Sequence, residues 1–264
     1  MADGKNKAPF YEGRRFKGAV AVIGLVSALI AVTGIPKLSE VVSDLSSASV
    51  AVSNTEIVLD TSADMGGRFE GQLTRLDAAV SAIEQAGERD DEGLALRRTS
   101  PTCGGEEDLL VGFGTNHKGD VLDAAEEQRP AGASNIVNAV VEALGDFRNE
   151  AEFSGPSSTR RVLVFTTGRD ECFEGDVASK IGGELEAAQV SASFTLIALN
   201  VSGEALRQLE ELRNALKAAD AHVETRTPES SEELEGVVEE VKDASRKAVK
   251  EGKNDDGSGA TLGE

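Results

Sequence analysis

The chain has 264 residues, 39% of them hydrophobic, and a formal net charge of −20. That length supports one sizeable domain with extensions and excludes two large ones. The acidity argues against nucleic acid as a partner, because a polyanionic surface repels a polyanionic backbone.

From the N-terminus, the first predicted element is apolar. Between Lys17 and Lys37 lie 19 uncharged residues, GAVAVIGLVSALIAVTGIP. As a helix they would extend roughly 28 Å, close to the hydrocarbon thickness of a bilayer. A buried core helix is the alternative, but such a helix keeps a polar face and only Ser27 and Thr33 could supply one. Residues 18–36 are therefore read as a transmembrane helix. Lys5, Lys7, Arg14, Arg15 and Lys17 precede it against Asp3 and Glu12, so residues 1–17 are expected in the cytoplasm and the rest outside it. The expected location is the cell membrane, single-pass. Cleavage as a signal peptide stays open, although the run exceeds the usual signal core and IAVTGIP lacks a clean small-x-small site, which favours an uncleaved anchor. Residues 1–37 hold six Lys/Arg and two Asp/Glu, or +4, which leaves −24 for residues 38–264. Such an exterior suits a domain held off an anionic membrane and would attract cations or basic partners; a solvated acidic surface is the plainer reading.

Residues 37–54, rich in Ser and small side chains, read as a stalk. From Thr55 onward, short apolar runs alternate with helical patterns, which predicts an α/β domain over 55–248 with a mostly parallel sheet flanked by helices. The strands are expected at Glu56–Thr61, Leu94–Thr99, Leu109–Phe113, Arg161–Thr166, Ser191–Leu199 and His222–Thr225. Helical periodicity appears over Leu73–Ala86, Ser134–Phe147, Val177–Gln189, Gly203–Ala219 and Ser231–Val249. Ser230 and Glu233 form a capping-box pattern ahead of the last helix. Residues 249–264 are expected to form a disordered tail. GGRFEGQ and VGFGTNHKGD are read as turns rather than phosphate cradles, and Asn200-Val201-Ser202 fits a glycosylation acceptor.

The chain has two cysteines, Cys103 and Cys172. On the predicted topology both lie outside the cytoplasm, where disulfides persist, and they are expected to pair. His117 and His222 are the two histidines, both read as surface residues. No Ser/His/Asp set has credible spacing, which argues against an enzyme.

The stretch EIVLDTSAD at 56–64 carries the chemistry. It ends a buried strand on Asp60, with Thr61, Ser62 and Asp64 following, at the edge where open parallel sheets bind their ligands. Carboxylates with hydroxyls suit a hard cation such as Mg²⁺. DTSADMGGRFEGQLTRLDAAVSAI resembles the first motif of a von Willebrand factor type A domain, Asp-x-Ser-x-Ser followed by a helix. The likeness continues in GASNIVNAV at 132–140, where that family has Gly-x-Thr, and in RVLVFTTGRDEC at 161–172, where it has Thr-Asp-Gly.

The resemblance implies a three-layer, Rossmann-like fold and a metal-ion-dependent adhesion site, in which Mg²⁺ or Mn²⁺ keeps one position open for an acidic residue of a protein partner. Carried over, the ligand set is Asp60, Ser62, Asp64, Ser134 and Thr167. Asp60 and Ser62 match the family pattern. Asp64 stands in place of a Ser, Ser134 in place of a Thr, and Thr167 in place of an Asp. The cysteine pair resembles that of secreted bacterial members. The sequence thus leads to a membrane-anchored, extracytoplasmic interaction domain with a modified metal site. A structural or assembly protein with a vestigial site stands as the alternative, and Arg169 is placed to pair with Asp60 or Asp64 and take the cation's place.

Overall fold

The computed structural model describes residues 53–86, 92–103, 109–149, 159–188 and 191–255. The transmembrane helix expected at 18–36 and all but the last two residues of the stalk lie outside them. Among the described residues no helix is long and apolar enough to cross a membrane.

Six strands form the central sheet: β1 (Ser53–Leu59), β4 (Gly93–Arg98), β5 (Leu109–Gly114), β6 (Thr159–Thr166), β7 (Ser193–Ala198) and β8 (His222–Arg226). Their order is β5-β4-β1-β6-β7-β8, parallel throughout except for β5, which runs antiparallel to β4 at the edge. The central strands read as apolar runs, Ile57-Val58-Leu59 and Val162-Leu163-Val164-Phe165, because helices cover both of their faces. The edge strands β5 and β8 bury far less, and β8 carries Glu224 and Arg226, charges that discourage edge-to-edge pairing.

Alternation along each strand divides the core. Val58, Val162, Val164, Phe194 and Leu196 face three helices, α3 (Ile136–Asn149), α4 (Val177–Ala188) and α5 (Gly203–Ala218). Ile57, Leu59, Leu163, Phe165 and Ile197 face α1 (Arg75–Ala86), α2 (Lys118–Glu126) and α6 (Ser231–Asp255). Each helix presents a stripe at helical spacing, such as Leu76, Ala79 and Ile83 on α1 or Leu234, Val238 and Val241 on α6. Truncating a fully buried member such as Phe165 to Ala would cost roughly 3–5 kcal/mol.

The helix predicted from Leu73 starts at Arg75. Thr74 caps it: the Thr74 hydroxyl accepts from the Asp77 N–H at 3.1 Å, and the Asp77 carboxylate accepts from the Thr74 N–H at 3.0 Å. This reciprocal cap frees Leu73 and Thr74 to form β3, which pairs with β2 (Arg68–Glu70). The hairpin turns at Gly71, whose φ of 55° suits glycine. Asn200 holds the hairpin down by donating its side-chain N–H groups to the carbonyls of Arg68 and Phe69 at 3.2 and 3.3 Å, which occupies the nitrogen a glycan would need. Helix α2 stands where the sequence suggests a turn. The last helix starts as predicted, with the Glu233 N–H donating to Ser230 Oγ at 3.2 Å, but the Glu233 carboxylate accepts from the Glu229 N–H, one residue earlier than in the usual box. It also runs to Asp255, beyond the expected end at Val249.

On the α3 face, the sheet buries charge. Glu56 accepts from Arg97 Nε at 3.0 Å, and Arg97 also pairs with Asp146 of α3. Burial, followed by repulsion from Asp146, pushes the Glu56 carboxyl up to about 8 against the pull of Arg97. A raised folded-state pKa means that the folded protein holds a proton the unfolded chain releases near pH 4.5. Stability therefore falls as pH rises from about 4.5 through about 8. Urea unfolding at pH 5, 6.5 and 8 should show this decline in the parent and a flatter profile in Glu56→Gln; equal slopes would contradict the assignment.

Candidate metal centre

Three loops meet past the carboxyl ends of β1 and β6. The first, Asp60 to Asp64, leaves β1; the second, Ala131 to Asn135, precedes α3; the third, Thr166 to Cys172, leaves β6. Asp60 lies fully buried at their junction. Its Oδ1 accepts from the Ser62 N–H at 2.9 Å. Its Oδ2 accepts from the Thr166 hydroxyl at 3.0 Å, the Thr167 N–H at 3.3 Å and the Thr167 hydroxyl at 3.4 Å. Burial still raises the Asp60 pKa, although these donors oppose it.

The second loop is stitched to both others. The Ala131 N–H donates to the Thr61 carbonyl at 2.8 Å, and the Ala63 N–H donates to the Gly132 carbonyl at 3.0 Å. On the other side, the Glu171 N–H donates to the Ser134 carbonyl at 3.0 Å. Asp170 clasps the junction: one carboxylate oxygen accepts from the Val137 N–H in the first turn of α3, the other from the N–H groups of Cys172 and Phe173. The helix begins at Ile136 and leaves Ser134 in the loop. Cys103 and Cys172 form the expected disulfide, with Cα atoms 4.8 Å apart. It ties the third loop to the chain just after Pro101, whose carbonyl accepts from the Ala133 N–H. Closing 69 residues of chain stabilises the fold by about 4 kcal/mol in the loop-entropy account.

The predicted ligands separate into two groups. Asp60, Ser62 and Thr167 are in direct contact, and Ser134 sits on the loop bonded to both of theirs. The hydroxyls of Ser62 and Ser134 are buried without a hydrogen-bond partner. Two such orphans and a buried carboxylate at one loop junction are oxygen groups of the kind a hard divalent cation takes. Asp64 belongs to the rim. Its side chain is half exposed, and its Oδ2 lies 3.7 Å from Arg169, which also pairs with Glu171 at 3.1 Å. Thr166, Thr99 and Asp170 were not among the predicted site residues. Thr99 receives the Thr61 N–H on its hydroxyl at 3.0 Å and so sets the exit of β1.

Gly132 has φ 73°, and a Cβ there would stand 2.0 Å from the Pro101 carbonyl oxygen. Gly132→Ala should therefore lose roughly 2–3 kcal/mol in urea unfolding, from left-handed strain and the backbone clash together. A loss below about 0.5 kcal/mol would show that the second loop is not held as described.

No family model matches the sequence, and no curated protein matches it. Solved structures do resemble it. The PilB minor pilin from Streptococcus sanguinis aligns with a TM-score of 0.59 at 12% identity, over 75% of this chain and 62% of the pilin. A von Willebrand factor type A structure from Catenulispora acidiphila aligns at 0.54 and 14% identity, over 72% of this chain and 42% of that one. The pilus adhesin SpaC from Lactobacillus rhamnosus GG aligns at 0.53 and 11% identity, over 77% and 31%. This chain thus spans less than two thirds of each. With its parallel sheet, antiparallel edge strand and three helices on each face, the described domain has the von Willebrand factor type A fold.

Proposed function

We propose that this domain is an interaction module that captures a protein partner through the loops around Asp60, with a divalent cation, Mg²⁺ or Mn²⁺, held by Asp60, Ser62 and Ser134. The observation that carries this reading is the pair of buried, unpartnered hydroxyls on Ser62 and Ser134 beside a fully buried carboxylate. A core without a ligand gains nothing from orphaned polar atoms, each of which costs about 1–3 kcal/mol. When bound, the cation would offer an open coordination position to an acidic side chain of the partner. Asp60 would balance its charge, Thr166 and Thr167 would fix the carboxylate's direction, and Asp170 with the disulfide would hold the third loop in place. The adhesin and pilin among proteins of the same fold agree with a role in protein contact.

Asp64 has a separate part in this reading. Paired with Arg169 at the rim, it shapes the acidic approach to the site and is not an inner ligand. The competing reading, an assembly protein with a vestigial site, draws on the same pair, because Arg169 brings a positive charge close to where the cation would lie. Anchoring through residues 18–36, with the domain outside the cytoplasm, completes the proposal. A reporter that functions only outside the cytoplasm, fused after Ala244, should be active; a silent fusion beside an active cytoplasmic reporter would overturn the topology.

Calorimetric titration of EDTA-stripped protein with Mg²⁺ and Mn²⁺ distinguishes the two readings of the site. Saturable binding is expected in the parent, loss of it in Asp60→Ala, and a change of less than about threefold in Asp64→Ala. Loss in both variants would restore Asp64 as a direct ligand. No binding by the parent would leave the vestigial reading.

A further inference from the structure

The sheet face beneath α6 changes character along its strands. Near the carboxyl ends it presents Leu163, Phe165, Ile197 and Leu199, all buried in the core. Two and four residues earlier, the same pleated face carries Arg161 and Thr159 on β6, then Thr195 and Ser193 on β7, with His222 and Glu224 aligned on β8. This opposite end of the sheet opens into a cavity of about 410 Å³, a volume within the range of small-molecule sites. Its walls include Thr159, Arg161, Thr195, Glu224, Arg226 and Glu240.

The charges in this cavity are unevenly matched. Arg226 spans both acidic side chains, 2.9 Å from Glu224 and 3.2 Å from Glu240, and His222 adds a contact to Glu224 at 3.5 Å. Arg161 is only 9% exposed, yet no hydrogen bond or ion pair joins its guanidinium to another described residue. Burial holds its pKa below the ordinary arginine value, and Glu92 supplies the opposing pull. Beside it, Thr159 Oγ1 is buried without a partner, and Thr195 is 6% exposed. Glu92 attracts this guanidinium without an ion pair, so among the described residues its N–H donors and the Thr159 hydroxyl stand unused at the cavity wall.

We propose that this cavity binds a small organic monocarboxylate, received by the guanidinium fork of Arg161 with the hydroxyls of Thr159 and Thr195 as further donors. A planar carboxylate takes two parallel N–H bonds from such a fork. Glu224 and Glu240 line the same cavity and repel a second negative charge, which disfavours phosphate. The site is independent of Asp60, which lies past the other end of the sheet.

The test is titration of the full chain with acetate, lactate and benzoate at constant ionic strength, with inorganic phosphate as the competing anion. At least one carboxylate should bind saturably and more tightly than phosphate, and Arg161→Gln should weaken it by about tenfold or more. In the absence of ligand, Arg161→Met should raise the urea midpoint, because an unmatched buried cation is removed. The proposal falls if none of the three carboxylates saturates, if phosphate binds more tightly than all of them, or if Arg161→Gln leaves affinity unchanged. It falls equally if Arg161→Met lowers the midpoint, since the guanidinium would then already be compensated within the fold.

Discussion

The junction at the carboxyl end of the sheet depends on keeping one carboxylate out of water. Asp60 follows directly on β1, a strand with neighbours on both sides, and lies fully buried where the three loops meet. Four donors converge on it, from Ser62 on one side and Thr166 and Thr167 on the other. They join the first and third loops through a single side chain. They do not abolish the desolvation cost, and its pKa stays raised. A group of this kind stabilises the fold below its unfolded pKa and loses that contribution as pH rises through its folded value.

The second loop then has little freedom. Backbone bonds from Ala131 and to Gly132 attach it to the first loop, and Asp170 and the Glu171 N–H attach it to the third. Gly132 is required where the chain passes the Pro101 carbonyl, and the disulfide fixes the same corner from outside. This rigidity pre-organises a donor set, as cation sites require. The other buried charges sit elsewhere: Arg97 on the α3 face pairs with both Glu56 and Asp146 and leaves one Glu56 oxygen without a hydrogen bond, whereas Arg161 at the opposite end of the sheet feels the pull of Glu92 without an ion pair to a described residue.

Much of this was legible in the sequence because buried parallel strands are written as apolar runs. Ile57 to Leu59 and Val162 to Phe165 admit few other readings. The β2–β3 hairpin was not legible, since strands of three and two residues have no periodicity to detect. Helix α2 was hidden by Gly119 and its polar neighbours; Val121 and Ala125, four residues apart, were its only apolar signal at helical spacing that proves buried. At the site, the motif located Asp60, Ser62, Ser134 and Thr167. It did not reveal Thr166, 106 residues from Asp60, or Asp170, 33 residues from Val137, because their roles arise only when loops meet. The sequence left Arg169 to pair with Asp60 or Asp64, and the structure places it beside Asp64, 3.7 Å away at the rim.

The central claim is that the cost of burying Asp60 is offset by a cation. Urea unfolding of the parent protein and of Asp60→Asn, each with EDTA and with saturating Mn²⁺, tests it most directly. Asp60→Asn turns an amide N–H group toward donors that need an acceptor and removes the charge that would hold the ion, so Mn²⁺ should raise the midpoint of the parent and leave that of the variant unchanged. If Mn²⁺ leaves both midpoints unchanged, Asp60 is a structural carboxylate and the junction is not a cation site.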